Sequence, residues 1–194
     1  WRGKYIKGKR DGFHEQFYEN GQLNWSSHFK SGEREGLCEM FYENGQIEER
    51  GNYKNGKEDG LVEYFHENGE LERINHKNGK WDGLCERFYE NGQLEYKGNY
   101  KNGKKDGLWE SFRYNGQLSS RENYNNGGEL ILHQTLDQEG NLLTDLTFTN
   151  GKKTGVEVMK HNNGQLKRRD NYKNGLSDGS RVTYFENGQL RSSQ

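Results

Sequence analysis

A unit of 24 residues recurs eight times along this chain, and this repetition constrains the fold more than any other feature. Each copy has a turn glycine, and these glycines are Gly21, Gly45, Gly69, Gly92, Gly116, Gly140, Gly164 and Gly188. Two further glycine columns keep the same period, with Ile131 as the only departure. A period of this length is typical of stacked supersecondary units that bury a face only against their neighbours. The repeat therefore predicts one continuous array over residues 1–194.

A single repeat has the pattern of a β-hairpin. Residues 37–42 (Leu-Cys-Glu-Met-Phe-Tyr) are rich in strand formers and too short for a helix. Residues 43–45 form a turn, residues 46–53 form the returning strand, and residues 54–60 form a second, longer turn into the next repeat. The absence of proline is compatible with a long series of paired strands. The predicted fold class is all-β: an elongated, single-layer antiparallel meander of eight repeated β-hairpins.

The register of the hairpin follows from its turn. A two-residue turn at Asn44-Gly45 would pair Tyr42 with Ile47, whereas a three-residue loop with Gly45 in a left-handed bulge would pair Phe41 with Ile47. The second register collects Leu37, Phe41 and Ile47 on one side, and register follows the apolar face. We therefore predict the bulged turn.

Three apolar columns are expected to have a structural role on that face. The first column is Phe13, Leu37, Leu61, Leu84, Leu108, Leu132 and Val156. The second, four residues later, includes Phe17, Phe41, Phe65, Phe88 and Phe112. The third is Leu23, Ile47, Leu71, Leu94, Leu118, Leu142, Leu166 and Leu190.

A glutamate stands between the first two columns in each of the first five repeats. One interpretation is a polar filler on a half-wet sheet, and the other is an acidic line flanked by aromatics that suits a basic protein partner. The second interpretation predicts a protein-binding site at Glu39, Glu63, Glu86, Glu110, Phe41, Phe65, Phe88 and Phe112. The line ends at Gln134 and continues as Val158 and Val182.

Composition alone leans toward disorder, because 28% of residues are hydrophobic, 30% are charged and the mean hydropathy is -1.37. However, aromatic residues make up 13% of the chain and occupy fixed columns, which indicates a folded but thin structure. The net charge is -1, with an acidic excess over residues 33–95 and a basic excess over residues 145–194. No clustered basic density typical of a nucleic-acid binder is present, so no nucleic-acid partner is predicted.

Residues that could carry chemistry do not form a known motif. Cys38 and Cys85 lie in the same column two repeats apart, about 19 Å at the usual strand spacing, and a disulfide needs Cα atoms within about 7 Å. The six histidines show no metal-ligand spacing, and no serine or cysteine lies in a nucleophile motif. The sequence predicts a protein that is not an enzyme and that binds no cofactor or metal.

The compartment is less constrained. No apolar run approaches the length of a transmembrane span, and a cytoplasmic location is favoured. The chain opens at Trp1 without a methionine, so a trimmed signal peptide or lipid anchor would place it at the cell surface or outside the cell.

The residues of repeats three and five resemble a known family. Residues 53–61 (Tyr-Lys-Asn-Gly-Lys-Glu-Asp-Gly-Leu) with 64–71 (Tyr-Phe-His-Glu-Asn-Gly-Glu-Leu) are similar to the MORN repeat variant, and residues 100–110 with 114–118 match it as closely. This variant occurs in bacterial YwqK-family antitoxins, which are associated with secreted polymorphic toxins. The repeat near residues 124–147 is atypical, since residues 127–131 replace the usual Lys-x-Asp-Gly turn.

The resemblance implies a scaffold without catalytic residues. It suggests a protein-binding array, specifically an antitoxin or immunity protein that neutralises a basic toxin domain by binding it. The alternative is a membrane-lipid-associated or structural scaffold, in which Lys167, Arg168 and Arg169 would bind anionic lipid. Membrane association is not favoured.

Choline- and sugar-binding hairpin repeats are a competing class, but they need a regular Trp-Tyr-Tyr cluster. The four tryptophans here occupy unrelated columns, which argues against that class. A purely structural spacer is a further possibility.

Overall fold

The computed structural model describes residues 2–179 and 181–193, and within these ranges every regular element is a β-strand. None of the described residues belongs to a helix long and apolar enough to cross a membrane. The chain divides into two compact units, unit 1 ending at Lys104 and unit 2 beginning at Lys105.

The strands of unit 1 follow one another at short intervals. They are β1 (Arg2–Ile6), β2 (Lys9–Phe17), β3 (Leu23–Lys30), β4 (Glu33–Phe41), β5 (Ile47–Lys54), β6 (Lys57–Phe65), β7 (Leu71–Lys77), β8 (Lys80–Phe88) and β9 (Leu94–Lys101). Each strand from β1 to β8 pairs antiparallel with the next one. Unit 1 is therefore a meander of hairpins.

Unit 2 repeats this pattern and becomes irregular toward its end. Its strands are β10 (Lys104–Phe112), β11 (Leu118–Tyr124), β12 (Leu130–Leu136), β13 (Leu142–Thr149), β14 (Lys152–Lys160), β15 (Leu166–Lys173), β16 (Leu176–Ser177), β17 (Val182–Tyr184) and β18 (Leu190–Ser193). Strands β10 to β15 pair in sequence, β15 pairs with both β16 and β17, and β17 pairs with β18. The predicted all-β meander of hairpins is confirmed, while a single elongated array over residues 1–194 stays a prediction.

The turn after the outgoing strand has the predicted bulge. Phe41 pairs with Ile47, and the Tyr42 amide donates to the Gln46 carbonyl at 2.9 Å. Gly45 has a φ of 86°, a left-handed conformation that a β-branched residue adopts only with strain. In the one repeat that is 23 residues long, Phe65 pairs with Leu71 without a register shift. The missing residue corresponds to Glu48, which is an unpaired extra residue between Ile47 and Glu49 in the returning strand, while the turn glycine is retained as Gly69 with a φ of 92°.

The second turn is shorter than the sequence suggested. Lys54 pairs with Lys57, so only Asn55 and Gly56 form the turn. Both have positive φ, 50° and 73°, as a type I′ turn requires. The predicted long turn over residues 54–60 is wrong, because strand β6 begins directly at Lys57.

Side chains and backbone groups tie neighbouring turns together. The Asn55 amide donates to Glu35 Oε2 at 3.0 Å, and the Gly56 amide donates to the Arg34 carbonyl at 2.9 Å. At the opposite ends of the strands, the Tyr42 hydroxyl donates to the Phe65 carbonyl at 2.8 Å. These contacts explain why the repeat conserves its spacing of acidic, turn and tyrosine positions along the chain.

The sheet in each unit has two faces that differ in burial. We call the side of Leu37, Glu39 and Phe41 the leucine face, and the side of Cys38 and Tyr53 the tyrosine face. The first of the three apolar columns lies largely exposed on the leucine face, since Leu37 is 47% exposed and Leu84 is 42% exposed. This column therefore lies on the open side of the sheet.

The core of unit 1 lies on the tyrosine face instead. Cys38, Val62, Ile74 and Cys85 are all at most 1% exposed. They form a line across the strands, in which Gly51 lies between Cys38 and Val62. A β-carbon on Gly51 would lie 2.8 Å from Val62 Cγ2, so the glycine makes room for the valine. Val62 thus packs over the small Gly51, which keeps the buried line narrow at this point.

Unit 2 buries a smaller set on its tyrosine face, and one member is a carboxylate. Trp109 and Leu146 are buried, and so is Asp170, which is 1% exposed. The atypical sixth repeat replaces the two-residue turn by a three-residue loop, in which the Asn125 amide donates to the Glu129 carbonyl at 2.9 Å and Gly128 has a φ of 81°. Its unusual sequence thus changes the turn type while the hairpin persists.

Candidate protein-binding face

The leucine face brings the predicted site residues of each unit onto one side of the sheet. Alternation along an outgoing strand places leucine, glutamate and phenylalanine on the same face. In unit 1 these residues are Leu37, Glu39, Phe41, Leu61, Glu63, Phe65, Leu84, Glu86 and Phe88. In unit 2, Glu110 and Phe112 follow Leu108 in the same way.

The glutamates alternate with basic residues of the returning strands. Glu39 pairs in register with Arg50, Arg50 with Glu63, and Glu63 with Arg73. Arg73 in turn pairs with Glu86. We call this row in unit 1 the charge ladder. Its basic members lie on the returning strands and meet the glutamates only across the hairpin, so the pattern along one strand does not reveal them.

Glu63 is the most enclosed member of the charge ladder. Arg50 Nη2 lies 2.6 Å from Glu63 Oε2, and Arg73 Nε lies 3.0 Å from Glu63 Oε1. Burial raises the pKa of Glu63, but hydrogen bonds and charge from the two arginines outweigh burial and lower the pKa overall. The Glu63 carboxylate is therefore firmly ionised and internally balanced.

The second unit has one rung of the same kind. Glu110 pairs in register with Arg121, and Arg121 Nε lies 3.1 Å from Glu110 Oε1. The face thus presents balanced charge, where the sequence predicted an uncompensated acidic line. Whether these residues bind a protein is a separate matter, and that assignment stays a prediction.

The phenylalanines lie under the ladder arginines. The Arg50 guanidinium is 5.9 Å from the ring centroid of Phe65, and that of Arg73 is 5.4 Å from the centroid of Phe88. Such contacts are favourable because the ring face carries negative electrostatic potential. They hold the arginines over the aromatic column and leave the rings half-buried.

The leucines beside the charge ladder are the most open apolar residues of the face. In unit 1 the exposed members of the column are Phe13, Leu37, Leu61 and Leu84, with exposures between 41% and 49%. They occupy alternate strands, so neighbouring members are about 10 Å apart. We call this row the leucine stripe. The returning strands place polar residues between them, since Leu37 pairs with Asn52 and Leu61 with Asn75. The row therefore alternates exposed apolar and polar side chains.

The fold and this face define a class of protein, a β-hairpin repeat scaffold. Family comparison identifies which one: six segments match the MORN repeat variant, at residues 34–55, 58–80, 81–102, 105–126, 153–174 and 177–194. Since these segments cover about two thirds of the sequence, the chain belongs to the MORN repeat variant family. Repeats of this family are generally protein- or lipid-binding scaffolds, and the family and fold are typically non-enzymatic.

Other comparisons add little. No protein of curated function matches the chain. A chain in the crystal structure of the GtfA/B complex is 15% identical, with 55% of this chain and 19% of that chain covered and a TM-score of 0.23. Alternansucrase in complex with isomaltononaose is 19% identical, with 93% and 16% covered and a TM-score of 0.25. This chain spans less than a fifth of either length, and neither likeness supports a statement about fold or ligand.

Proposed function

We propose that the protein is a non-enzymatic repeat scaffold that binds another protein on its leucine face. The observation that carries the proposal is the leucine stripe, because its members are 41–49% exposed on consecutive hairpins. Protein interfaces have an apolar centre with a polar rim. The leucine stripe beside the charge ladder has that composition.

The predicted site residues take two roles in this proposal. The partner contacts the leucine stripe, and the phenylalanine column (Phe41, Phe65 and Phe88, with Phe112 in unit 2) supports the ladder arginines beside it. Glu39, Glu63 and Glu86, with Glu110 in unit 2, act with the basic members in fixing the register of the partner. Because their charge is balanced, they contribute more to orientation than to long-range attraction.

The finer proposal is that the partner is a toxin domain, so that the protein acts as an antitoxin or immunity protein. Its support is the resemblance of the repeat, as at Tyr53–Leu61, to bacterial YwqK-family antitoxins. A basic toxin surface would gain favourable contacts from the acidic turn residues Glu43, Glu67 and Glu90, which are exposed beside the face. The lipid-binding alternative has less support, because Arg168 forms an ion pair with the buried Asp170 carboxylate and is therefore less available to an anionic lipid.

The test uses two positions of one strand that are equally exposed on opposite faces. Leu84 is 42% exposed on the leucine face, and Trp81 is 40% exposed on the tyrosine face of the same strand β8. A photocrosslinking amino acid at Leu84 is expected to capture a protein partner in native cells, and the same group at Trp81 is expected to capture much less. Equal capture at both positions, or capture at Trp81 alone, would contradict the assignment of the face.

A purified partner then allows the contact to be measured. Replacing Leu37, Leu61 and Leu84 by serine is expected to weaken binding by at least about tenfold, since buried apolar area drives association. Trp81→Ser is the matched control. If the partner is a toxin, co-expression with the parent chain restores growth and co-expression with the triple variant does not.

A further inference from the structure

The charge ladder has an incomplete counterpart in the last hairpins. Val158 stands at the position that glutamate occupies in earlier repeats, and it pairs in register with Arg169. On the other side, Arg169 pairs with Val182. Arg169 therefore keeps the place of Arg50 and Arg73 in the repeat, but both of its cross-strand neighbours are valines.

This substitution leaves Arg169 unlike the other arginines in its column. Arg50, Arg73 and Arg121 each have a glutamate oxygen within 3.1 Å. Among residues 2–179 and 181–193, no carboxylate lies within ion-pair distance of Arg169, and its side chain is exposed. The Arg169 guanidinium thus occupies the position at which the other arginines of the column bind a glutamate, but the described residues supply no carboxylate to it.

An apolar depression adjoins this arginine. Its volume is about 400 Å³, and its lining includes Leu142, Val156, Val158 and Leu166 together with Arg169. Asp145 also belongs to the lining, but its Oδ1 accepts a hydrogen bond from Gln134 Nε2 at 3.0 Å. Arg169 is therefore the one charged group of the lining for which the described residues supply no polar partner.

We propose that this depression is a binding site for a polypeptide segment that presents a carboxylate beside an aliphatic side chain. The carboxylate replaces the missing glutamate and accepts two hydrogen bonds from the planar Arg169 guanidinium. The aliphatic side chain lies against Val156, Val158 and Leu166. Charge complementarity selects this occupant, because a carboxylate gives Arg169 the charge-assisted pair that Arg50, Arg73 and Arg121 have, and a cationic group would be repelled by it. Asp145, the acidic residue of the lining, lies on the far side of strand β14 from Arg169.

The site is independent of the proposed function. It lies in unit 2, whereas the leucine stripe and the charge ladder lie in unit 1, and the two share no residue. A scaffold that binds its main partner in unit 1 would use this site for a second contact. Loss of either site leaves the other intact.

N-acetyl-leucine is a suitable probe, because it joins a carboxylate to one aliphatic side chain. Titration into the full chain, followed by NMR of the arginine Nε–H groups, is expected to shift the Arg169 signal saturably. The Arg73 signal serves as internal control and is expected to stay in place. N-acetyl-leucinamide, which has the same body without the charge, is expected to bind about tenfold more weakly, as a charged hydrogen-bond partner is lost.

Two variants separate the proposal from nonspecific binding. Arg169→Met keeps the apolar stem of an exposed side chain and is expected to abolish the difference between the two probes, with the methyl signals of Val156, Val158 and Leu166 as the readout in this variant. Val158→Glu supplies the missing carboxylate within the chain and is expected to block N-acetyl-leucine without lowering the melting temperature. Equal shifts with the amide, an equal response of Arg73, or unchanged binding by Arg169→Met would overturn the proposal.

Discussion

The two units are built from the same hairpin but bury different residues on the tyrosine face. In unit 1 the tyrosine face buries Val62, Ile74 and two cysteines together with the polar Ser27 and His14, whereas in unit 2 it buries the Asp170 carboxylate, 1% exposed, together with Trp109 and Leu146. The bulged turn recurs in both, with Gly45 at φ 86° and Gly116 at φ 81°. The turns and their register therefore specify the hairpin, and the buried positions tolerate a change from apolar to charged residues.

The charged interior of unit 2 depends on pairing. Asp170 Oδ1 lies 2.6 Å from Arg181 Nε, and its other oxygen faces Arg168 Nε. Removing one partner of a buried ion pair leaves the other charge uncompensated, which costs more than the pair itself contributes. The apolar line of unit 1 carries no such dependence on a partner charge, so the units are expected to respond differently to the loss of one group.

The largest effect is expected for Asp170→Asn. This change removes the counter-charge of Arg168 and Arg181 and is expected to lower the free energy of unfolding by about 3 kcal/mol. Chemical denaturation measures the loss. Asp178→Asn is the control, since Asp178 is exposed in the same unit. A loss no larger than that of the control would mean that the charged interior is not stabilising.

A smaller effect with opposite signs is expected from two glutamates on the tyrosine face. Burial raises the pKa of Glu49 in unit 1, so the neutral form is favoured in the folded state and ionisation costs stability as pH rises. Burial also raises the pKa of Glu122 in unit 2, but Tyr124, Lys105 and His133 outweigh burial and lower the pKa overall. The stability from Glu122 is therefore present above its ordinary pKa and is lost as pH falls through the lowered value.

Glu49→Gln is consequently expected to be more stable than the parent at about pH 7, with the advantage shrinking toward about pH 3. Glu122→Gln is expected to be less stable at the higher pH, with the deficit shrinking over the same interval. Urea denaturation across this pH range measures both curves. Shifts of the same sign in the two variants would contradict the contrast between the units.

The local part of the fold was predictable from the sequence. The bulged loop that pairs Phe41 with Ile47 follows from the Asn-Gly sequence and side-chain alternation. The type I′ turn at Asn55-Gly56 was missed because the charged residues after it suggested a loop, although they belong to strand β6. Turn chemistry acts within a few residues, so a single repeat contains the necessary information.

The choice of buried face was not predictable in this way. The buried line contains residues as different as Ser27, Cys38, Gly51 and Val62, so hydrophobicity does not mark it. Burial there comes from neighbours on adjacent strands, which a pattern along one strand cannot reveal. The charge ladder was missed for the same reason, since Arg50 meets Glu63 only across strands.

The same limit applies to the candidate site. The sequence grouped Glu39 with Phe41, and the structure places both on the leucine face. It did not indicate that Leu37 is the more exposed residue, nor that arginines balance the glutamates. Residue type was enough to group the residues that share a face. The exposure of Leu37 and the pairing of glutamates with arginines depend on strand register, which one strand does not reveal.

The central claim is that the leucine face is open while the tyrosine face holds the core, and thiol alkylation tests it most directly. Leu37 and Cys38 are adjacent, yet they are 47% and 1% exposed. Burial also raises the pKa of the Cys38 thiol, which further slows its reaction. In the Leu37→Cys variant under native conditions, the new thiol is expected to react with iodoacetamide at least about a hundredfold faster than Cys38, because Cys38 reacts only after local opening. Comparable rates at the two positions, or faster reaction at Cys38, would contradict the account.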